Sequence, residues 1–355
     1  EGISPDQLDE LTAMFEEMGV SVGRDEDGNG AIKGDLESAD GEEADGAAAG
    51  TGDFSRSQRL VTVRTLSGHK DSVEALAFLD SGARLASAGV DGTIRIWDVE
   101  RGETVHTLTG HRRSVGAIAV SPDGKLLVSA GNESELLLWD TSTGKRIGSL
   151  AGHVQDVYVV KFSTDGRWLA SGGRDRTIII WDMARRKPAR KLEGHDDSIL
   201  ALAFSPNGEW LMSGGKDALL RRWSLSSGKE VASITAHRGQ LVSAISISPD
   251  GKHFASAGSD SSVRLWDAET NQQLRSFSQT PGVASALAFT PDGRQLVAGG
   301  SDHSLRIWDV NSGFVDHELA GHGDEVQGLA LSPDRKTIAS AGKDKTIRLW
   351  RAAAN

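Results

Sequence analysis

The chain has 355 residues, of which 38% are apolar and 25% charged, and it contains no cysteine. Without cysteine there is no disulfide, thiolate metal site or cysteine nucleophile. No apolar run approaches the roughly 18 residues of a membrane helix, so no membrane span is predicted. The net charge of −11 belongs to the first 58 residues, which carry 16 acidic and 3 basic side chains. Nucleic-acid binding is not expected, because the rest of the chain is nearly neutral rather than strongly basic.

The chain begins with Glu, which indicates a processed or trimmed start. No signal peptide is recognisable. These features favour the cytoplasm, and the non-Met start leaves an extracytoplasmic location open.

Residues 1–57 are predicted to form an acidic arm that begins with a helix over about 5–18. Ser4 and Gln7 form a capping box, and Pro5 takes the first helical position. An apolar stripe with helical spacing follows, made of Leu8, Leu11, Phe15 and Met18. A lone helix of this length is marginally stable, so we expect it to dock on the rest of the chain or on a partner.

The segment 25–37, "DEDGNGAIKGDLE", matches the start of a calcium-binding EF-hand loop. Leu36 stands where the bidentate Glu belongs, and Glu37 comes one residue late. The calcium candidate is therefore incomplete, and no cofactor is predicted. Its oxygen donors are Asp25, Asp27, Asn29 and Glu37. Residues 33–57, rich in Gly, Ala, Asp and Glu, have the composition of a disordered tether.

From residue 58 onward the chain consists of repeats. Seven tryptophans recur at intervals of 42 or 43 residues: Trp97, Trp139, Trp181, Trp223, Trp266, Trp308 and Trp350. Each repeat has alternating apolar stretches separated by turns such as Ser-Pro-Asp-Gly, a pattern typical of four short strands. Gly-His, Trp-Asp and a period near 42 are the signature of a β-propeller blade.

The repeats resemble the WD-repeat (WD40) family over residues 59–351, and their regular Ser-Pro-Asp-Gly turns resemble bacterial members. The resemblance implies an all-β, seven-bladed propeller over 58–355. The last repeat ends after its third strand, and "RLVTVRTL" (59–66) is a spare strand ahead of the first Gly-His. We therefore expect strand 59–66 to complete the last blade and to remove the open sheet edges.

Six of the seven blades combine His, Ser, a carboxylate and Trp, and in the family this set is a structural hydrogen-bond network. Ser, His and Asp also perform acyl transfer, but a hydrolase needs one nucleophile rather than six, so we predict no catalytic residue and no enzyme. The sets are His69, Ser87, Asp91, Trp97; His111, Ser129, Trp139, with Glu133 in place of Asp; His153, Ser171, Asp175, Trp181; His195, Ser213, Asp217, Trp223; His237, Ser256, Asp260, Trp266; and His322, Ser340, Asp344, Trp350.

The sixth blade keeps Asp302 and Trp308 but has Thr280 for His and Ala298 for Ser. Loss of both central members together can be nearly neutral, so we expect this blade to depend on apolar packing. Arg222 is a second exception, because it replaces the Ile or Leu of the other six blades. An arginine there has to find a partner or reach solvent.

The family resemblance implies partner binding on the face formed by the loops that enter the first strand and join the second to the third. Three positions per blade point there, two flanking the first apolar residue after Gly-His and one before the turn Asp. The mapped candidates are Tyr158, Arg174, Lys216, Leu200, Asp156, Leu241, Glu74, Glu325 and Lys343. Large and charged side chains gather at blades three and four, and Tyr and Arg are enriched at interface hot spots.

A second candidate surface is "ARRKPARK" (184–191), expected in the turn between the third and fourth strands of blade three. The sequence thus favours a scaffold that binds a protein or peptide on its loop face. Two alternatives stay open. One is a subunit or assembly factor held in a larger complex by its N-terminal helix and acidic tail. The other is a regulatory module of a longer chain that uses the 25–37 loop.

Overall fold

A computed structural model describes residue 54, residues 58–353 and the backbone of two short strands nearer the N-terminus. The chain divides into a unit of residues 1–50 and a unit of residues 51–355. In the first unit, Gly23–Arg24 and Gly30–Ala31 form an antiparallel pair. The predicted helix over 5–18 and the calcium candidates Asp25, Asp27, Asn29 and Glu37 lie outside the described residues.

The second unit contains seven antiparallel sheets of four strands each, the blades of a propeller. Blades one to three contain Val73–Leu79, Arg84–Gly89, Ile94–Asp98, Thr104–Leu108; Val115–Val120, Leu126–Gly131, Glu135–Asp140, Arg146–Ala151; and Val157–Phe162, Trp168–Gly173, Thr177–Asp182, Lys187–Glu193. Blades four to six contain Ile199–Phe204, Trp210–Gly215, Leu219–Ser224, Glu230–Thr235; Val242–Ile247, His253–Gly258, Val263–Asp267, Gln273–Phe277; and Ala284–Phe289, Gln295–Gly300, Ser304–Asp309, Val315–Ala320. Blade seven contains Val326–Leu331, Ile338–Gly342, Thr346–Ala352 and Leu60–Ser67, and Asp80–Gly82 is a short 3-10 helix.

The apolar core lies between neighbouring blades rather than inside one sheet. Leu136 and Leu138 of blade two pack in one cluster with Val157 and Trp181 of blade three. Because successive side chains of a strand point to opposite faces, each blade covers one neighbour with each face. The inner strands surround a central channel.

The Ser-Pro-Asp-Gly turns are held by their own side chains. In blade two, the Ser121 hydroxyl donates to Asp123 at 2.5 Å and accepts from the Leu126 N–H at 3.0 Å. Gly124 has a φ of +72°, which a residue without a Cβ adopts at no steric cost. This local arrangement explains why the motif separates the first strand from the second in most repeats.

The expected closure of the ring is confirmed. Leu60–Ser67 pairs antiparallel with Thr346–Ala352, from Leu60 opposite Ala352 to Ser67 opposite Thr346. The closing strand thus comes from the N-terminal side of the repeats and completes the seventh blade. Among the described residues, no helix is long and apolar enough to cross a membrane.

A recurring contact links neighbouring blades at their outer strands. In four blades, a side chain of the outer strand donates a hydrogen bond to a backbone carbonyl of the next blade. The donor lies five residues before the histidine of Gly-His, or before Thr280 where that histidine is missing. The acceptor lies in the turn after the third strand. The pairs are Arg64 to Glu100 at 2.7 Å, His106 to Ser142 at 3.1 Å, Arg190 to Ser226 at 2.7 Å and Arg275 to Asn311 at 2.7 Å. These contacts hold the rim of one blade against the next.

Phe54 supplies the equivalent contact where the ring closes. The third and fourth strands of blade seven come from distant parts of the chain, so no turn joins them. The Phe54 carbonyl accepts instead from His317 Nε2 at 3.1 Å and from the Gln295 amide at 2.9 Å. Its side chain is 4% exposed and packs with Leu60 and Trp350. The domain boundary at 57/58 stays a prediction, but Phe54 on its N-terminal side is a packed part of the second unit.

The position predicted for the basic segment was partly wrong. The third strand of blade three ends at Asp182 and the fourth begins at Lys187, so residues 187–191 lie in the outer strand itself. A turn of four residues suffices because Asp182 accepts from the Arg185 N–H at 3.0 Å. Pro188 is tolerated because an outer strand has one edge without a partner strand.

We expect Phe54→Ala to lower the free energy of unfolding by up to about 3–5 kcal/mol, because the substitution empties a buried site. Phe314→Ala is a matched control, since Phe314 is 67% exposed and its loss should cost less than about 0.5 kcal/mol. Urea unfolding followed by tryptophan fluorescence measures both variants. Equal losses in the two variants would contradict a packing role for Phe54.

Candidate functional site

The His, Ser, Asp and Trp side chains of six blades form continuous hydrogen-bond chains. In blade three, the Trp181 indole N–H lies 2.8 Å from Ser171 Oγ, and Oγ lies 2.7 Å from His153 Nε2. His153 Nδ1 lies 2.8 Å from the Asp175 carboxylate. In the other five blades, the same atoms are 2.6–3.1 Å apart, with Glu133 as the carboxylate of blade two.

Each chain has one consistent direction of donation. The indole can only donate, so it donates to the Ser oxygen. The Ser hydroxyl then donates to the unprotonated Nε2 of a neutral histidine, whose Nδ1–H donates to the carboxylate. Burial lowers the pKa of His69, His111, His237 and His322 below the ordinary 6.5, although the neighbouring carboxylate opposes the shift.

The carboxylates at the end of the chains are ionised near neutral pH. Burial alone would raise the pKa of Asp91, but hydrogen bonds from the Lys70 N–H and from Thr93 outweigh burial, and the pKa lies below its usual value. The pKa values of Asp175, Asp217, Asp260, Asp344 and Glu133 are lowered by the same kind of contacts. The carboxylate thus also connects the loop after the histidine to the turn between the second and third strands of the blade.

The geometry of the serines is that of a structural element. The six network serines, Ser87, Ser129, Ser171, Ser213, Ser256 and Ser340, are all 0% exposed. Each Oγ is already occupied by an indole N–H and an imidazole, and no substrate reaches it. The chains therefore join the strands of a blade.

Blade six replaces the missing network with a backbone contact. The Trp308 indole donates to the Ser278 carbonyl at 2.9 Å, and its ring lies 5.3 Å from that of Phe277. Ala298 is completely buried, and the Thr280 hydroxyl donates to the Ser261 carbonyl at 2.6 Å. The buried indole thus has an acceptor without either lost side chain.

The mapped loop-face positions meet in every blade. The donor is the backbone N–H of the residue before the acidic residue of the turn between the second and third strands, which is also an Asp in blade six. The acceptor is the backbone carbonyl of the residue just before the first apolar residue of the inner strand, at 2.8–3.1 Å. The pairs are Val90 to Ser72, Asn132 to Ser114, Arg174 to Asp156, Lys216 to Ser198, Ser259 to Leu241, Ser301 to Val283 and Lys343 to Glu325. The two loops of each blade therefore form one surface.

The third mapped position of every blade is the second residue of the inner strand, and it lines the central channel. This channel encloses about 270 Å³, and its lining includes Glu74, Gly116, Tyr158, Leu200, Ser243, Ser285 and Gln327. Among these seven residues, Tyr158 and Leu200 have the large aromatic and aliphatic side chains, and they come from adjacent blades. Leu241 is half-buried and belongs to the loop surface outside this lining.

The charged candidates differ in their pairing. Arg174 lies 3.6 Å from Asp156 with 62% of its side chain exposed, whereas Lys343 lies 2.6 Å from Glu325. Glu74 accepts from the Ser72 hydroxyl at 2.5 Å, and Lys216 is exposed. Blades three and four thus carry two exposed cations, while the Lys343–Glu325 pair largely neutralises itself.

Arg222 makes its contacts between blades four and five. Its guanidinium lies 4.2 Å from the centre of the Trp210 ring and donates to the Ala268 carbonyl of blade five at 2.6 Å. Burial lowers its pKa, and Glu209 opposes this shift. Of the two options left open by the sequence, the arginine takes the first, because it is stacked and hydrogen-bonded between two blades.

Sequence reasoning missed Lys161, which also lines the channel. The signal lay in the fifth residue of each inner strand, which is Ala or Ser in the six other blades. It also missed the exposure of Val154, which is 80% exposed on the loop before Tyr158. Among the described residues, no group of three or more His, Asp or Glu side chains could hold a metal ion.

The histidine chains predict a pH dependence of stability. A folded-state pKa below 6.5 means that the unfolded chain binds more protons between the two pKa values, so stability falls as the pH drops below about 6.5. For each such histidine, a tenfold difference in proton affinity between the folded and unfolded chain corresponds to about 1.4 kcal/mol of stability. Below about pH 4, the carboxylates with lowered pKa add a second loss as they become protonated.

Urea unfolding at pH 7.5, 6.5 and 5.5 measures this dependence. We expect His237→Gln to be less stable at pH 7.5 yet to lose less stability on acidification. His303→Asn is the control, because His303 is exposed and Asn accepts its left-handed backbone. Stability that rises on acidification, or a slope unchanged in His237→Gln, would rule out neutral buried histidines.

Comparison with known families identifies the repeat. The family model described as WD domain, G-beta repeat, matches residues 60–98, 102–140, 144–182, 186–224, 228–267, 271–309 and 313–351. Each matched segment begins at the outer strand of one blade, or one or two residues before it, and ends in the third strand of the next blade, as the closure of the ring requires. The segments cover most of the chain, and the protein therefore belongs to the WD40 repeat family.

Proposed function

We propose that the protein is a non-catalytic scaffold that binds a protein or peptide on its loop face, centred on Tyr158 and Leu200. Propellers of this family typically act as protein-interaction scaffolds. The observation that carries the proposal is the convergence of seven mapped positions on one channel mouth. Six of these positions hold small, polar or aliphatic side chains, and Tyr158 supplies the aromatic anchor.

The chemistry of blades three and four supports this location. A binding site needs an apolar centre that a partner can dehydrate, with polar groups around it. Tyr158 and Leu200 are half-buried, so part of each is already packed and less conformational freedom is lost on binding. Arg174 and Lys216 are exposed on the same two blades, and Val154 adds apolar surface. This pattern favours a partner segment with apolar and acidic side chains.

The absence of catalysis in this proposal follows from the serine geometry. All six candidate nucleophiles are buried and hydrogen-bonded on both sides. An acyl-transfer mechanism needs a serine that a substrate can approach. We therefore assign the His–Ser–Asp sets a structural role.

We expect Tyr158→Ala to weaken capture of the partner by about 2 kcal/mol or more, roughly 30-fold, as for other interface hot spots. The measurement is affinity capture from native lysate, followed by titration with the identified partner. Leu274→Ala is the control, because Leu274 is 51% exposed on an outer strand away from the channel. Equal binding by both variants would place the interface elsewhere.

A second candidate function is a subunit or assembly factor anchored through its N-terminal arm. The observation that favours it is Phe54, which fixes the chain to the propeller just after residue 50. In that case the arm, with its predicted helix over 5–18, would carry the interface, and the propeller would hold it in place.

Deletion of residues 1–50 separates the two functions without removing Phe54. If the loop face binds the partner, this truncated protein should capture it as well as the full chain does. If the arm is the anchor, capture should be lost while thermal stability is unchanged. A combined test with Tyr158→Ala in the full chain assigns the binding energy to one region or the other.

A further inference from the structure

Lys161 is an isolated cation inside the central channel. It is the fifth residue of the inner strand Val157–Phe162, and it lines the channel together with residues of all seven blades. The equivalent residues of the other blades are Ala77, Ala119, Ala203, Ser246, Ala288 and Ala330. The fold itself therefore needs only a small side chain at this position, and a lysine there calls for another explanation.

Lys161 has no partner within the described part of the chain. It takes part in no hydrogen bond and no ion pair with those residues, whereas Arg174 and Lys343 at the channel mouth both lie near carboxylates. Lys161 is exposed to the water of the channel. The strands around that water still hydrate the ammonium less well than bulk solvent does, and this desolvation lowers the pKa of Lys161 below its ordinary 10.5.

The position of Lys161 separates it from the proposed protein interface. It lies three residues beyond Tyr158 on the same strand, which places it about 10 Å deeper in the channel. Glu74, the acidic residue of the lining, occupies the level of Tyr158 and is held by Ser72.

We propose that the central channel binds a carboxylate group at Lys161. A charge with low-dielectric walls around it focuses its field along the channel and raises the local concentration of anions. An ammonium–carboxylate contact is charge-assisted, and the walls of the channel limit the solvent that competes with it. The carboxylate can belong to a small organic acid or to an acidic side chain that a bound partner inserts through the mouth.

The size of the channel limits the ligand. A volume of about 270 Å³ lies at or just below the lower end of the range for small-molecule pockets. It accommodates a short dicarboxylate or one glutamate side chain, but not a large multivalent anion. The inference shares its cavity with the proposed function, yet a small probe tests it without any protein partner.

The test is calorimetric titration at constant ionic strength in chloride, with succinate as the free acid and N-acetyl-Gly-Glu-Gly-amide as the side-chain probe. We expect saturable binding of at least one probe to the full-length protein and no binding of succinamide, the uncharged analogue. Lys161→Ala should weaken binding at least tenfold. It should fold normally, because six blades already have Ala or Ser there. Lys161→Gln provides a variant closer in size, and Lys125→Ala on an exposed turn is the charge control.

The outcomes separate the sources of the carboxylate and the two proposals. Binding of succinate alone supports a free organic acid, and tight binding of the peptide supports an inserted side chain. Saturable binding that persists unchanged in Lys161→Ala would overturn the assignment, and so would the failure of both probes to bind the native protein. Neither result affects capture through Tyr158, which is measured separately.

Discussion

The hydrogen bonds between Leu60–Ser67 and Thr346–Ala352 are the constraint on which the propeller depends. Every other blade is built from one continuous segment, and each is covered on both faces by its neighbours. If the ring opened, blades one and seven would each lose a neighbour, and the apolar core between them would be exposed to water. Phe54 reinforces the same joint, because its carbonyl and ring replace the turn that blade seven does not have.

Within a blade, the chain from Trp through Ser and His to Asp shows how buried polar groups stabilise a fold without gaining reactivity. The chain is useful because every donor has an acceptor, and a single gap would leave a buried polar group unpaired. Blade six illustrates this rule from the other side. It lacks two members, and its indole reaches the Ser278 carbonyl, so no donor is left unpaired. The ring therefore tolerates substitutions in one blade as long as each buried donor of that blade still has an acceptor.

Sequence alone predicted most of the fold, because seven regular repeats carry their own strand and turn signals. The loop-face positions came from the family resemblance, and their use in binding stays a prediction. Phe54 could not be predicted, because its partner Gln295 is 241 residues away and its own surroundings look like a polar tether. Lys161 was visible as an exception in an alignment of the repeats, but its setting appears only when seven inner strands converge. The acceptor of Trp308 is a backbone carbonyl, which has no side-chain signature.

The closure by distant strands also has a consequence for biosynthesis. Leu60–Ser67 is made before any blade, yet its partner Thr346–Ala352 is made after six blades are complete. At about 5–20 residues per second, roughly 15–60 s of translation separate the two strands. During that time the early strand has an open edge and an apolar face on the ribosome, which are recognised features of aggregation-prone intermediates. Ring closure is thus a late step, and the nascent chain carries this open edge until the last blade has been made.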